Sequence, residues 1–181
     1  MLDPSDIVLL LIDHQEPILA RSKTNSVETI RKGVSVLSRA AKLLDIPVVL
    51  SAVEPSDGRL RFLSQTEGTP LIRTQPNALA DPETLATIRA TGRKHIAIGA
   101  VLTEVAGYAA ASAAREDGFE VTLLLEVCGG FSPRSEDATF AELRAKGVRV
   151  LPIASLFAPF ISDFAIEPGK TLLPLIRETY A

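Results

Sequence analysis

Six short segments rich in Val, Ile and Leu alternate along the chain with segments of helical periodicity. Most of the six are continuously apolar, whereas a strand with one exposed face would alternate between apolar and polar residues. Continuous apolar runs are typical of parallel strands that helices cover on both faces. The pattern therefore predicts a three-layer αβα sandwich around a six-stranded parallel, doubly wound, Rossmann-like sheet. The predicted strands are residues 7–13, 46–53, 70–73, 95–101, 120–127 and 148–153.

The segments between these strands carry the signals of helix ends. Asn25 or Ser26 can cap a helix whose apolar residues fall on one stripe. Asp81, Pro82 and Glu83 supply a capping side chain, a proline at the first helical position and an acidic first turn. The predicted helices are residues 25–44, 81–92, 103–118, 135–147 and 170–181. Residues 54–69 are too polar for a strand and are predicted to form a long loop, a feature that is often functional.

Composition narrows the class of protein. The chain has 181 residues, 46% of them hydrophobic, which is enough for one substantial core, so we expect a single domain over residues 1–181. A net charge of −3 with scattered basic residues argues against nucleic acid as a partner. The apolar runs fall short of the roughly 18 to 20 residues of a spanning helix, which argues against a membrane. The single cysteine, Cys128, allows no intrachain disulfide and fits a cytoplasmic location.

Several reactive side chains follow predicted strands directly. Asp13, Arg73, the segment 101–106 and Cys128 all lie at the carboxyl ends of such strands. Ligands of open parallel sheets bind beyond these ends, where helix N-termini also point. We therefore expect the four to share one cleft.

Four motifs occur in order between residues 9 and 130. They are Leu9-Leu10-Leu11-Ile12-Asp13-His14-Gln15, Arg73-Thr74-Gln75-Pro76-Asn77-Ala78-Leu79, Gly99-Ala100-Val101-Leu102-Thr103-Glu104-Val105-Ala106, and Gly118-Phe119-Glu120-Val121 with Glu126-Val127-Cys128-Gly129-Gly130. In order and spacing they resemble the isochorismatase-like (cysteine hydrolase) superfamily, most closely its YcaC-type branch of bacterial hydrolases. The resemblance extends to about residue 153 and implies a six-stranded parallel sheet between helices.

The resemblance also implies a catalytic triad of an aspartate base, a lysine and a nucleophilic cysteine. Asp13 matches the aspartate, whereas Arg73 falls at the place of the lysine and Ala106 at that of the cysteine. Without a thiolate, hydrolysis through a thioester is excluded. Arg73 keeps the positive charge but stays protonated, so it can hold an anion or pair with Asp13 but cannot shuttle protons.

By the same resemblance, Gln15, Asn77, Leu102 and Thr103 are expected to bind substrate, and a non-proline cis peptide is expected near Val101-Leu102. No metal or cofactor is expected. Relatives in this superfamily assemble as dimers, tetramers or octamers, so we expect a homo-oligomer that acts on a small-molecule ligand.

Two functions of different class remain open. The first is hydrolysis of a small metabolite without a cysteine nucleophile, with Asp13 as acid or base and Arg73 as an anion clamp. Isochorismatases proper, as the resemblance implies, hydrolyse a vinyl ether in this way by protonating its double bond. Asp13 could do so only if it kept its proton near neutral pH, which a close Arg73 would oppose. The second is a catalytically silent homologue that binds a ligand or a partner. A nucleotide-binding module is disfavoured, because no glycine-rich loop follows the first strand.

Purely structural roles are the alternative at several positions. Asp13 and Arg73 could form a buried ion pair without function. We expect His14 to pack rather than to bind a metal, and Cys128 to pack in a tight turn rather than to act as a nucleophile. His95 falls at the end of its strand away from the cleft. Residues 156–164 hold three of the seven phenylalanines and form either core or, by a slight preference, a surface for self-association.

Overall fold

The computed structural model describes residues 2–181, and six strands run through the middle of the fold. They are β1 (Ile7–Ile12), β2 (Val48–Val53), β3 (Leu71–Arg73), β4 (His95–Ala100), β5 (Glu120–Leu124) and β6 (Arg149–Leu151). Every pairing between them is parallel, and their order in the sheet is β3-β2-β1-β4-β5-β6. The chain thus starts in the middle of the sheet and winds to each edge in turn, which confirms the predicted doubly wound sheet.

Helices cover both faces of this sheet. They are α1 (Glu16–Leu19), α2 (Val27–Leu43), α3 (Pro82–Ala90), α4 (Tyr108–Glu116), α5 (Pro133–Ala145), α6 (Ile153–Phe157) and α7 (Gly169–Arg177). All residues of β1 are buried, because alternate side chains along a strand point to opposite faces and both faces are covered. One alternate set packs in a core with α2, α6 and α7, and the other packs with α3, α4 and α5. The predicted three layers are therefore present.

Four strands end earlier than predicted, β1 and β4 by one residue and β5 and β6 by more. β5 ends before residue 127, because Leu125–Val127 forms a 3₁₀ turn. The side chain of Asn25 donates hydrogen bonds to the carbonyl oxygens of Leu125 at 2.8 Å and Cys128 at 2.9 Å, which satisfies backbone groups that a longer strand would pair with a neighbour. β6 ends where Pro152, which has no N–H to donate, precedes α6.

Two of the predicted helix caps are confirmed. Ser26 caps α2 and Asp81 caps α3, each by accepting a hydrogen bond from a backbone N–H three residues further on. α5 begins earlier than the predicted residue 135, because Ser132 provides the cap. The short helices α1 and α6 have four and five residues and lie outside the predicted helices, since so few residues give no clear periodicity.

The phenylalanine-rich segment divides between core and surface. Leu156 and Phe157 are fully buried, whereas Phe164 is 67% exposed, so the alternative of a core role holds for the first part only. Among residues 2–181, no helix combines the length and the apolar character needed to cross a membrane.

Candidate active site

Asp13 lies at the centre of the carboxyl edge of the sheet, immediately after β1. Its backbone adopts a left-handed conformation with φ of 59°, which aspartate tolerates better than most residues with a Cβ atom. The chain therefore turns sharply at this residue instead of continuing the strand. The Oδ1 atom accepts a hydrogen bond from the backbone N–H of Val53 at 3.1 Å, so the carboxylate is tied to the end of the neighbouring strand β2.

Arg73 pairs with this carboxylate from the end of β3. Its Nη1 lies 2.8 Å from Asp13 Oδ1 and its Nη2 lies 2.7 Å from Oδ2, which is a bidentate ion pair. The Arg73 side chain is 0% exposed and that of Asp13 is 7% exposed. Nη1 also donates to Ser51 Oγ at 3.2 Å, and Nη2 to the carbonyl of Pro76 at 3.3 Å. The Nε atom of Arg73 is buried and has no hydrogen-bond partner.

A cavity of about 230 Å³ adjoins this ion pair. Its walls are mostly apolar and come from the ends of several strands and the segments that follow them. The residues that line it are Asp13, Ile18, Arg21, Val53, Arg73, Thr74, Pro76, Val101, Leu102, Val105 and Ala106. Three of the four groups expected to share a cleft line this cavity: Asp13, Arg73 and, from the segment 101–106, Val101, Leu102, Val105 and Ala106. The fourth, Cys128, does not line it, because its side chain is fully buried in the core.

The segment that carries Ala106 begins with a non-proline cis peptide between Val101 and Leu102, as expected. Thr103–Gly107 then forms a wide π turn that leads into α4. Thr103 is buried and faces away from the cavity, since its Oγ1 donates to Glu136 Oε1 at 2.6 Å. Burial raises the pKa of Glu136, an effect that the hydrogen bond from Thr103 opposes.

The other residues predicted to bind substrate, Gln15, Asn77 and Thr103, do not line this cavity. Gln15 does not line the cavity beside Ala106; its amide exchanges hydrogen bonds with the backbone of Val53, at 3.0 Å to the carbonyl oxygen and 3.2 Å from the N–H. The side chain of Asn77 accepts from the N–H of Leu79 at 3.0 Å and caps a short 3₁₀ helix. Neither Asn77 nor Thr103 lines the cavity, so the geometry gives no support to a direct contact with a ligand there.

A second cavity, of about 390 Å³, lies beside the first, and Gln15 is part of its wall. The loop of residues 54–69 contributes Glu54, Asp57 and Arg61 to the same wall. Arg21 lines both cavities. Sequence reasoning missed Arg21, because it follows the unpredicted helix α1 and belongs to none of the recognised motifs.

Three other residues behave as structural groups. His14 is fully buried, and burial lowers its pKa to about 4; its Nε2 lies 2.9 Å from the carbonyl oxygen of Val127. Cys128 is fully buried, and burial raises the pKa of its thiol to about 12. His95 packs at the amino end of β4, where its Nε2 lies 2.8 Å from Thr122 Oγ1. These placements match the packing roles expected for His14 and Cys128.

In residues 2–181, the part of the chain that the structure describes, no group of three or more His, Cys, Asp or Glu side chains is arranged to bind a metal ion.

The first strand of this parallel sheet thus ends at Asp13, and the turn before α4 contributes to the cavity beside it. The Isochorismatase domain matches residues 8–155 of this chain. The match covers β1 through β6, and the chain belongs to the isochorismatase family.

Its relatives include the probable hydrolase YcaC of Escherichia coli strain K12, which is 27% identical over 156 residues, or 83% of this chain and 75% of that protein. The crystal structure of the E. coli YcaC product, described as an octameric hydrolase of unknown specificity, superposes with a TM-score of 0.85 at 24% identity, covering 99% of this chain and 94% of that one. YcaC from Pseudomonas aeruginosa, solved with hexane-2,5-diol and covalent acrylamide, superposes with a TM-score of 0.83 at 23% identity, covering 99% and 97%. At these identities the superpositions establish the fold.

Proposed function

We propose that the protein hydrolyses a small metabolite in the cavity beside Asp13, without a covalent enzyme intermediate. One observation carries the proposal: the Asp13 carboxylate and the Ala106 methyl line the same cavity of about 230 Å³. A cavity of this kind at the carboxyl edge of a parallel sheet is where such folds bind ligands. Membership of a family that includes probable hydrolases supports the reaction class.

Ala106 takes the place of the cysteine and Arg73 that of the lysine in this proposal. Alanine has no lone pair with which to attack a carbonyl carbon, so water must be the nucleophile. Asp13 is the only carboxylate among the residues that line the cavity. It is therefore the group that would take a proton from the attacking water as the new carbon–oxygen bond forms and the carbonyl double bond opens. Asp13 would then return that proton to the leaving alcohol or amine as its bond to the carbonyl carbon breaks, which releases the carboxylic acid.

The hydrogen bonds around Asp13 favour the role of base over that of acid. Both carboxylate oxygens accept N–H hydrogen bonds from Arg73, and Oδ1 accepts a further one from Val53. Oδ2 accepts only the one hydrogen bond from Arg73, which leaves it a lone pair that can take a proton from water. A base has to start as the carboxylate, which these N–H donors suit, whereas protonation of a vinyl ether needs a group that starts with a proton. Arg73 has four of its N–H groups engaged by Asp13, Ser51 and Pro76, so we assign it the positioning of Asp13 rather than the clamping of an anion.

A catalytically silent, ligand-binding homologue is the second candidate. The specific observation in its favour is the closed, bidentate and solvent-excluded pair of Asp13 and Arg73, which could serve structure alone. The cavity beside the pair argues for retained binding in this case, because it is open rather than filled by Phe or Leu side chains.

A substrate screen distinguishes the two. Vinyl ethers, amides and esters are tested with wild type, Asp13→Asn and Ala106→Cys, and Asp137→Asn serves as a control because Asp137 is exposed on α5. Circular dichroism verifies the fold of each variant. We expect wild type and Asp137→Asn to turn over an ester or amide, and Asp13→Asn to lose at least about 100-fold in kcat, the usual contribution of a positioned base.

Each other outcome decides against part of the proposal. Turnover by Ala106→Cys alone would show that the native protein is a disarmed hydrolase and would establish the silent candidate. Wild-type turnover that survives Asp13→Asn would remove Asp13 from the mechanism. Turnover of the vinyl ether alone, lost in Asp13→Asn, would make Asp13 an acid.

We also propose a homo-oligomer. The octameric state described for the E. coli relative and the exposed side chains of Phe164 and Ile166, which are 67% and 58% accessible, support it. Sedimentation of wild type as a monomer at micromolar concentration would refute it.

A further inference from the structure

Three residues line both cavities: Ile18, Arg21 and Val53. Arg21 is the charged one among them. It lies just after α1, on the segment that leads from Asp13 to α2. A ligand that extended from one cavity into the other would therefore pass its side chain.

The charges around the first cavity do not cancel. Its charged lining residues are Asp13, Arg73 and Arg21. Asp13 and Arg73 neutralise each other in their bidentate pair, which leaves the guanidinium of Arg21 as the remaining charge on the lining of this cavity. Glu54 lines the second cavity with Arg21 but forms no ion pair with it. Arg21 is exposed to solvent, so water partly screens its charge, while the cavity walls beside it are largely apolar.

Arg21 is also free to accept such a group. Within residues 2–181 its side chain makes no ion pair, whereas Arg61, the other cation of the second cavity, pairs with Asp57 at 2.5 Å. The planar guanidinium matches a carboxylate through two parallel hydrogen bonds. A single unpaired arginine suits a monoanionic carboxylate, while a phosphate dianion would call for more donors.

We propose that Arg21 binds the carboxylate of the ligand, and that the substrate class is small monocarboxylates whose reacting bond lies next to Asp13. The reaction next to Asp13 rests on the proposed function, whereas the binding of a carboxylate by Arg21 does not depend on it. It transfers to Arg21 the anion-binding role that sequence analysis assigned to Arg73, since Arg73 is occupied by Asp13.

Matched pairs of carboxylates and their neutral amides test the proposal. The probes are propanoate, crotonate and benzoate with propanamide, crotonamide and benzamide, titrated against the full-length protein by saturation-transfer difference NMR. Wild type is compared with Arg21→Gln, Arg21→Lys and the control Arg59→Gln, which removes an exposed arginine of the nearby loop that lines neither cavity.

We expect wild type to bind at least one carboxylate about fivefold to tenfold more tightly than its amide, as a charge-assisted, partly exposed pair allows. Arg21→Gln should abolish this preference and leave amide binding unchanged, Arg21→Lys should retain part of it, and Arg59→Gln should retain all of it. Absence of a carboxylate preference in wild type, or its persistence in Arg21→Gln, overturns the proposal.

The result is separable from that of the substrate screen. A preference that depends on Arg21 in a protein without turnover would sustain this inference and refute the hydrolase. Turnover of a carboxylate substrate with a KM that Arg21→Gln leaves unchanged would support the hydrolase and refute the role of Arg21.

Discussion

Replacing Arg73 with methionine would show what the ion pair under the cavity contributes to folding. Methionine has a similar length and no charge, so the substitution leaves the space largely filled but removes the partner of Asp13. The carboxylate, which is 7% exposed in the native structure, would keep Val53 as its remaining N–H donor. A buried charge without its counter-ion is costly to keep out of water.

The expected size follows from this burial. Breaking a buried ion pair by removing one partner costs about 3–5 kcal/mol of the free energy of unfolding. For a chain of 181 residues, each kcal/mol shifts Tm by about 2–4 °C, so Arg73→Met should lower Tm by roughly 6–20 °C. The double variant Asp13→Asn with Arg73→Met should recover part of the loss, because it leaves no unpaired charge; asparagine also tolerates the left-handed backbone at residue 13.

Urea and thermal unfolding followed by far-ultraviolet circular dichroism measure these differences. The control is Arg89→Met, which breaks the pair between Arg89 and Asp117 at 3.2 Å, whose side chains are 58% and 38% exposed. Exposed pairs of this kind are worth about 1 kcal/mol or less. If Arg73→Met cost no more than Arg89→Met, the pair of Asp13 and Arg73 would be solvated in solution and the reasoning above would be wrong.

Two further predictions concern buried titratable groups. Cys128 should resist labelling by a thiol reagent at pH 8 in the native protein, because burial raises its pKa to about 12, and should label fully once the protein is unfolded in guanidinium; rapid native labelling would contradict its buried position. Glu136 has a pKa raised by burial above its ordinary value of 4.5, so the stability that its protonated form contributes is present below that value and is lost as pH rises through the folded-state pKa. The unfolding free energy of wild type minus that of Glu136→Gln should therefore fall in urea titrations as pH rises above 4.5, and a difference that rises would reverse the assignment.

Much of the fold could be predicted because it depends on local patterns. Continuous apolar runs identified the strands, and capping residues such as Ser26 and Asp81 identified the starts of helices. The predictions failed where a contact distant in sequence ended an element, as when Asn25 binds the turn after β5. A single domain over residues 1–181 stays a prediction.

The candidate site was predictable to a smaller extent. The parallel topology alone placed Asp13, Arg73 and Ala106 at one edge of the sheet, and the structure brings all three to one cavity. Asn77 and Thr103 belong to the same motifs but are used for capping and for binding Glu136, which motif membership does not reveal.

The sequence by itself determined the order of strands and helices and the chemical groups available at the carboxyl edge, because hydrophobic period and residue type are local properties. Only the tertiary structure decided how those groups are used. Asp13 and Arg73 are 60 residues apart in sequence, and their mutual neutralisation depends on β2 lying between β1 and β3. The same packing leaves Arg21 unpaired beside the cavity, since ion pairing depends on distances of a few ångströms that residue order does not specify.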